Sequence, residues 1–195
     1  MIYFEFKRDI FEHLRTKEKS DAMVILLHTI SGDCRMGAGI AQKIEDKFHW
    51  RSAVLFSEAD DRNLVDSDGP WVWSSNNDGW ENLVHDILRL SYPVGHIVRA
   101  DCYYRELVGD PSWSAFDILG LVTKERYWQK PTALDMSKAL ESLAGYLNGF
   151  AGEPITLVMP TIGCGLDRLD WPEVSFLIHK HLGGIENLNV EVCML

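Results

Sequence analysis

Four cysteines in 195 residues leave little for disulfide or zinc chemistry to work with. Cys34, Cys102, Cys164 and Cys193 are scattered, form no C-x-x-C pair and have no paired histidines at ligand spacing beside them. The HKH run at 179–181 sets its imidazoles at i and i+2, which on a helix point to different sides. Reduced thiols, no metal and no cofactor are therefore expected. Basic residues are also scarce, with 19 Lys+Arg against 29 Asp+Glu and a net charge of −10. The overall field repels phosphate backbones and anionic membranes, so an anionic ligand needs donors supplied locally. No apolar run approaches the roughly 20 residues of a membrane span. The opening stretch MIYFEFKRDIFEHL mixes charges into its apolar positions, unlike a signal-peptide core. A cytoplasmic protein without a membrane partner is the expectation. Two familiar phosphate signatures are missing as well: Gly-Lys-Ser/Thr after a glycine loop, and G-x-G-x-x-G.

What is present is an ordinary globular composition, 46% hydrophobic and 25% charged, in a chain long enough for one domain with insertions. Short runs rich in β-branched and aromatic residues predict strands at IYFEF (2–6), MVILLHTI (23–30), GHIVRA (95–100), FDILGLVT (116–123), ITLVMP (155–160) and VEVCML (190–195). MVILLHTI and ITLVMP are continuously apolar, as strands covered on both faces are, and should be central. Helical period marks GIAQKIEDKF (39–48), ENLVHDILRL (81–90), MSKALESLAGYL (136–147) and PEVSFLIHKHL (172–182). The alternation predicts a three-layer α/β/α domain spanning 1–195. Asp170 and Glu173, around Trp171 and Pro172, predict a capping box at the start of the last helix.

Two stretches fit this rhythm poorly and read as insertions, 49–80 and 101–114. The first is acidic and carries Trp50, Trp71, Trp73 and Trp80, expected to form a small core of its own. Its Asp60, Asp61, Asp66 and Asp68 lean against a DNA partner. His28, inside the central strand MVILLHTI, is expected to be a packed core histidine, and Cys34 and Cys164 small fillers.

The stretch GDCRMGAGIAQKI (32–44) follows MVILLHTI and packs Gly37, Ala38, Gly39 and Ala41 into a helix entry with no Ser, Thr, Asp or Asn directly before it. The leading amides of that helix have no internal partner, and an anion is their usual guest. A second small-residue turn, TIGCGLDRLDW (161–171), follows ITLVMP in the same way. In an open α/β sheet ligands lie outside the carboxyl ends of the strands, so loops from neighbouring strands wall one crevice. A diphosphate fits between them.

DCRMGAGIA (33–41) and IGCGLDRLDW (162–171) together resemble the macrodomain family, in the branch of terminal ADP-ribose protein glycohydrolase and the antitoxin that removes ADP-ribose from DNA. The order FKRDIF (6–11), LHTIS (27–31), LVTKER (121–126) agrees. The resemblance implies a mixed central sheet and a pocket for ADP-ribose. It implies that Asp9 and the backbone of Ile10 receive the adenine amino group, and that Gly37, Ala38, Gly39 and Ile40 flank the distal ribose and diphosphate. Gly163, Cys164, Gly165 and Leu166 would hold the phosphates from the other side, with Ser31 and Thr161 completing the ligand set. Lys124 and Asp167 match the catalytic lysine and aspartate of that branch. The Trp-rich stretch 49–80 has no counterpart there.

The implied chemistry is removal of ADP-ribose from an acidic side chain or a nucleobase by attack of Lys124 on C1″ of the distal ribose, assisted by Asp167. The same pocket also suits an ADP-ribose 1″-phosphate phosphatase or a non-catalytic reader. ADP-ribose and an ADP-ribosylated protein or DNA are the expected partners.

Overall fold

The computed structural model describes residues 1–17, 20–48, 50, 51, 54, 91–100 and 116–194. Both proposed insertions fall outside these residues except at Trp50, Arg51 and Val54, and so does the helical stretch 81–90. In chain order the elements are β1 (Ile2–Lys7), α1 (Ile10–Arg15), β2 (Met23–Ser31), α2 (Gly39–Phe48), β3 (Ile97–Ala100), β4 (Asp117–Lys124), α3 (Ala133–Asn148), β5 (Ile155–Pro160), α4 (Trp171–Leu182) and β6 (Leu188–Met194). The six strands form one sheet in the order β1-β6-β5-β2-β4-β3. Every pairing is parallel except that of β3 with β4, so the sheet is mixed.

The two apolar runs occupy the middle as β5 and β2, and neighbour each other. Their alternate residues serve different cores. Ile25 and Leu27 of β2 and Leu157 and Met159 of β5 face α3 and α4. Val24, Leu26 and Val158 face a second core with Leu14 of α1, Ile44 of α2 and Trp50. These two cores, one on each face, make the domain three-layered.

Local signals differ from the sequence reading at two helix starts. α4 has Asp170 at its N-cap position, but the side chain makes no capping hydrogen bond. Pro172 stands in the first turn, where it removes an amide that a cap would otherwise bond. The reciprocal box lies instead on α3, where the Thr132 side chain accepts from the Asp135 amide and the Asp135 carboxylate accepts from the Thr132 amide. The short helix α1 has no counterpart among the sequence-derived helices. Six residues are too few to display a 3.6-residue period, and its start rests on Asp9, whose Oδ1 accepts from the Phe11 and Glu12 amides at 2.9 and 3.2 Å.

α1 is also fastened to the sheet by charge. Glu191 of β6 is buried and accepts from Lys17 at 2.6 Å, with His13 Nε2 also 2.6 Å from its other oxygen. On the same face of the sheet Trp50 is fully buried. Its indole N–H donates to the Ile118 carbonyl at 3.2 Å, and its ring meets that of His28 edge-on at 5.1 Å. A Cβ on Gly120 would lie 2.8 Å from Trp50 Cη2, so β4 leaves room for the indole by carrying no side chain there.

His28 is the packed core histidine that its strand predicts, with no exposed surface. Burial pushes its pKa down to about 3 from 6.5. The unfolded chain protonates this group below about pH 6.5 while the folded chain does not. Folding stability is therefore expected to fall as pH drops from 6.5 towards 3. Denaturant titrations across that range should show a shallower pH slope in His28→Leu than in the parent; equal slopes would remove His28 as the cause.

Candidate active site

β2, β4 and β5 run parallel, so their carboxyl ends deliver three loops to one end of the sheet. β2 leaves the sheet at Ser31, opposite Lys124 of β4, and the Gly32 amide donates to the Lys124 carbonyl at 2.8 Å. Gly32 is there because a Cβ would sit 2.1 Å from the backbone oxygen of Tyr92. Beyond it the side chains of Cys34 and Met36 are buried, anchoring the loop, while Gly37, Ala38 and Gly39 are exposed. Gly39 opens α2 with φ +64, a left-handed conformation that favours glycine.

The second loop leaves β5 at Pro160 and turns immediately, the Cys164 amide donating to the Thr161 carbonyl at 3.1 Å. Gly163, at φ +72, accepts from the Leu169 amide at 3.0 Å and closes the loop on itself. Ile162 is buried beneath, and Gly165 and Leu166 are exposed. The two loops face one another: a Cβ on Gly39 would lie 3.5 Å from Leu166 Cδ1.

Beside these loops Lys124, the last residue of β4, donates from Nζ to Asp167 Oδ1 at 2.5 Å. Both side chains are largely withdrawn from water, 13% and 11% exposed. An amine and a carboxylate from elements 43 residues apart in sequence thus touch beside both glycine loops.

The remaining sequence-derived residues divide. Ser31 and Thr161 lie at the loop entries, with Ser31 buried, and Ile40 lies in the first turn of α2. Asp9 and Ile10 follow β1, two strands away from β5 but at the same end of the sheet. Ile10 packs its side chain into the core, and Asp9 caps α1. Cys164 donates its thiol to the Ile162 carbonyl at 3.3 Å. Burial, and secondarily the Asp170 carboxylate, push its pKa up to about 11, which opposes a thiolate role. His179 contacts the Ser175 carbonyl and His181 the Ser137 hydroxyl, each at 2.8 Å. Among the described residues no group of three or more His, Cys, Asp or Glu is placed to hold a metal, and no helix is long and apolar enough to cross a membrane.

The sequence reading assigned no role to the bracket that ties the loops together. The segment after β4 bonds to the first glycine loop through the Tyr127 amide and Asp33 Oδ2 (3.4 Å), and Arg35 lies over the Tyr127 ring, 4.4 Å from its centre. On the other side Lys130 Nζ donates to the Leu166 carbonyl of the second loop. The only sequence trace of this arrangement is KERYWQK (124–130), aromatics set among charges.

No family model matches the chain. It is 30% identical over 159 residues to the ADP-ribose glycohydrolase OARD1 of Bos taurus, an alignment that spans 80% of this chain and 72% of that protein. Among solved structures, the macrodomain of Thermus aquaticus DarG matches at TM-score 0.60 and 17% identity, covering 98% of this chain and 97% of that one. Thermosipho africanus DarTG, solved in complex with ADP-ribose, matches at TM-score 0.62 and 16% identity over 100% of this chain and 42% of that one. Fold and sequence agree, and the chain belongs to the macrodomain family, alongside the ADP-ribose glycohydrolase OARD1.

Proposed function

We propose that the chain is a hydrolase that removes ADP-ribose from a modified macromolecule, protein or DNA, by attack at C1″ of the distal ribose. The observation that carries this reading is the Lys124–Asp167 contact beside two facing glycine loops. The glycines add support of their own. Gly39 and Gly163 answer to positive φ, whereas Gly37 and Gly165 have no positive φ, and a Cβ on either would meet nothing within 4 Å. Among the described residues nothing requires those two to be bare; a diphosphate resting on their backbone does. Asp9 spends Oδ1 on its helix, so its other oxygen is the acceptor for an adenine amino group.

In the proposed reaction a proton passes from the Lys124 ammonium to Asp167, and Nζ forms a bond to C1″ as the bond to the leaving atom breaks. Asp167 returns the proton to that leaving atom, takes one from the water that displaces Nζ, and passes it back to the freed Lys124 amine. The net reaction consumes one water and yields free ADP-ribose and the unmodified acceptor. As Asp167 gives its proton to the leaving atom, the carboxylate that re-forms stabilises the positive charge developing on the ribose.

Calorimetric titration with ADP-ribose, followed by turnover of an ADP-ribosylated acidic peptide, an ADP-ribosylated oligonucleotide and ADP-ribose 1″-phosphate, tests this. Binding with release of ADP-ribose from a macromolecule is expected. Binding with no turnover would leave only a reader, phosphate release alone would make the chain a phosphatase, and absence of binding would end the reading.

A further inference from the structure

We propose that the outer edge of β1 is the seam of a two-fold symmetric dimer, in which the β1 strands of two copies of this chain pair antiparallel about Phe4 and join two sheets into one. β1 pairs with β6 on one side and has no strand on its other side among the described residues. Edge strands are usually blunted by extreme shortness, by proline or a bulge, or by a charge pointing inward. β1 runs six residues in unbroken register with β6, without proline, and its cation, Lys7, stands at its end. Ile2 and Phe4 are left 58% and 46% exposed. Phe6 shares their face, where its ring lies 6.1 Å from that of Phe4 and 4.5 Å from that of His13 on α1. Tyr3 and Glu5 lie on the other face, against His179 and Trp171 of α4.

Symmetry and charge together select the register. Successive residues of a strand send their backbone donors and acceptors to opposite sides, and residues opposed in an antiparallel pair exchange both hydrogen bonds or neither. Two identical strands related by a two-fold axis therefore meet with the axis through a residue, never between two. Centred on Glu5, the seam would set carboxylate against carboxylate; centred on Tyr3, it would leave Phe6 unpaired. Centred on Phe4, Ile2 faces Phe6 of the second copy, Phe4 faces Phe4, and Tyr3 faces Glu5. The first two pairings make an apolar ladder on the α1 face. The third matches a donor to an acceptor, since within one chain the Tyr3 hydroxyl already donates to Glu5 Oε1 at 3.0 Å. Lys7 and Arg8 of the second copy arrive at the start of β1, where the Ile185 carbonyl occupies the Met1 ammonium and Glu186 is the exposed carboxylate. Phe176, 67% exposed, follows Ser175 on α4, whose hydroxyl lies 3.5 Å from that of Tyr3, and widens the apolar rim. One strand edge with one helix flank falls below the roughly 1,200 Å² of a permanent interface, so association should be reversible.

Sedimentation velocity of the full chain over a concentration series should show a monomer passing to a dimer with a Kd on the order of 10 μM. Phe4→Glu and Phe4→Lys each set like charges against one another on the axis, and either variant alone should associate about 30-fold more weakly or not at all. An equimolar mixture of the two should dimerise again, because position 4 faces itself in this register and the mixture pairs opposite charges there. Both variants should melt close to the parent, Phe4 being half-exposed. Should either unfold, Phe4→Thr keeps a good strand former at the axis and should weaken the dimer about tenfold. A wild type that stays monomeric up to several hundred μM overturns the proposal and leaves the edge to a strand from another protein. A dimer that survives Phe4→Glu, or a charge-swapped mixture that fails to associate, overturns it as well.

Discussion

Lys124→Ala is expected to lower turnover of an ADP-ribosylated substrate by about 10³-fold or more while ADP-ribose still binds, because the nucleophile is removed and the glycine loops are not. Alanine alone does not separate nucleophile from charge, since it also strips Asp167, only 11% exposed, of its partner. Lys124→Arg does separate them. A guanidinium keeps the ion pair but stays protonated and cannot attack carbon. Turnover should be lost in the arginine variant too, with folding stability close to that of the parent. Asp167→Asn removes the proton acceptor and should lower the rate by about 10²- to 10⁴-fold. Single-turnover kinetics on the three variants, beside thermal melts, check these outcomes. Substantial activity in Lys124→Arg would show that positive charge, rather than an attacking amine, is what the site needs.

Gly37→Ala and Gly165→Ala should each weaken ADP-ribose binding on the order of 100-fold, about 3 kcal/mol, if an added methyl group breaks two charge-assisted amide–phosphate bonds. Neither should lower stability, because the added Cβ meets nothing and the backbone is not left-handed. Both can gain a few tenths of a kcal/mol from a stiffer unfolded chain. Gly163→Ala should behave in the opposite way. At φ +72, with a Cβ 2.7 Å from Met136 Cε and 2.9 Å from Leu169 Cδ1, it should lose about 1–2 kcal/mol of stability whether or not a ligand is present. Melting curves and calorimetry on the three variants are the measurements. Unchanged affinity in both Gly37→Ala and Gly165→Ala would remove the diphosphate from the crevice.

What the chain declared in advance follows from which forces are local. β2 and β5 were readable because a strand buried on both faces must be apolar throughout, and their adjacency brought the two glycine loops together as expected. The loops themselves were readable from small residues between a strand and a helix. Lys124 and Asp167 were not readable from composition or period; only the likeness to a family singled them out, and the contact between them depends on the whole sheet being assembled. α1 was hidden by its brevity, and its Asp9 has a structural task, capping, beside the ligand role that the family likeness implies. The capping box expected at Asp170 does not form: Pro172 removes one of the two first-turn amides that an N-cap side chain accepts from, and a D-x-x-E spacing does not by itself aim the Asp170 carboxylate at the other, on Glu173. The antiparallel run of β3 beside β4 is a tertiary fact without a local trace, and the bond of Tyr127 to Asp33 across 94 residues left only the unassigned aromatics of KERYWQK.

The indole of Trp50 lodged over the bare backbone of Gly120 has an evolutionary corollary. A side chain at 120 would crowd the ring, and a smaller residue at 50 would open a void beside His28. The two positions are therefore expected to vary as a couple across descendants of this chain. Divergence at either one alone should carry its penalty along β4 towards the strand end that presents Lys124.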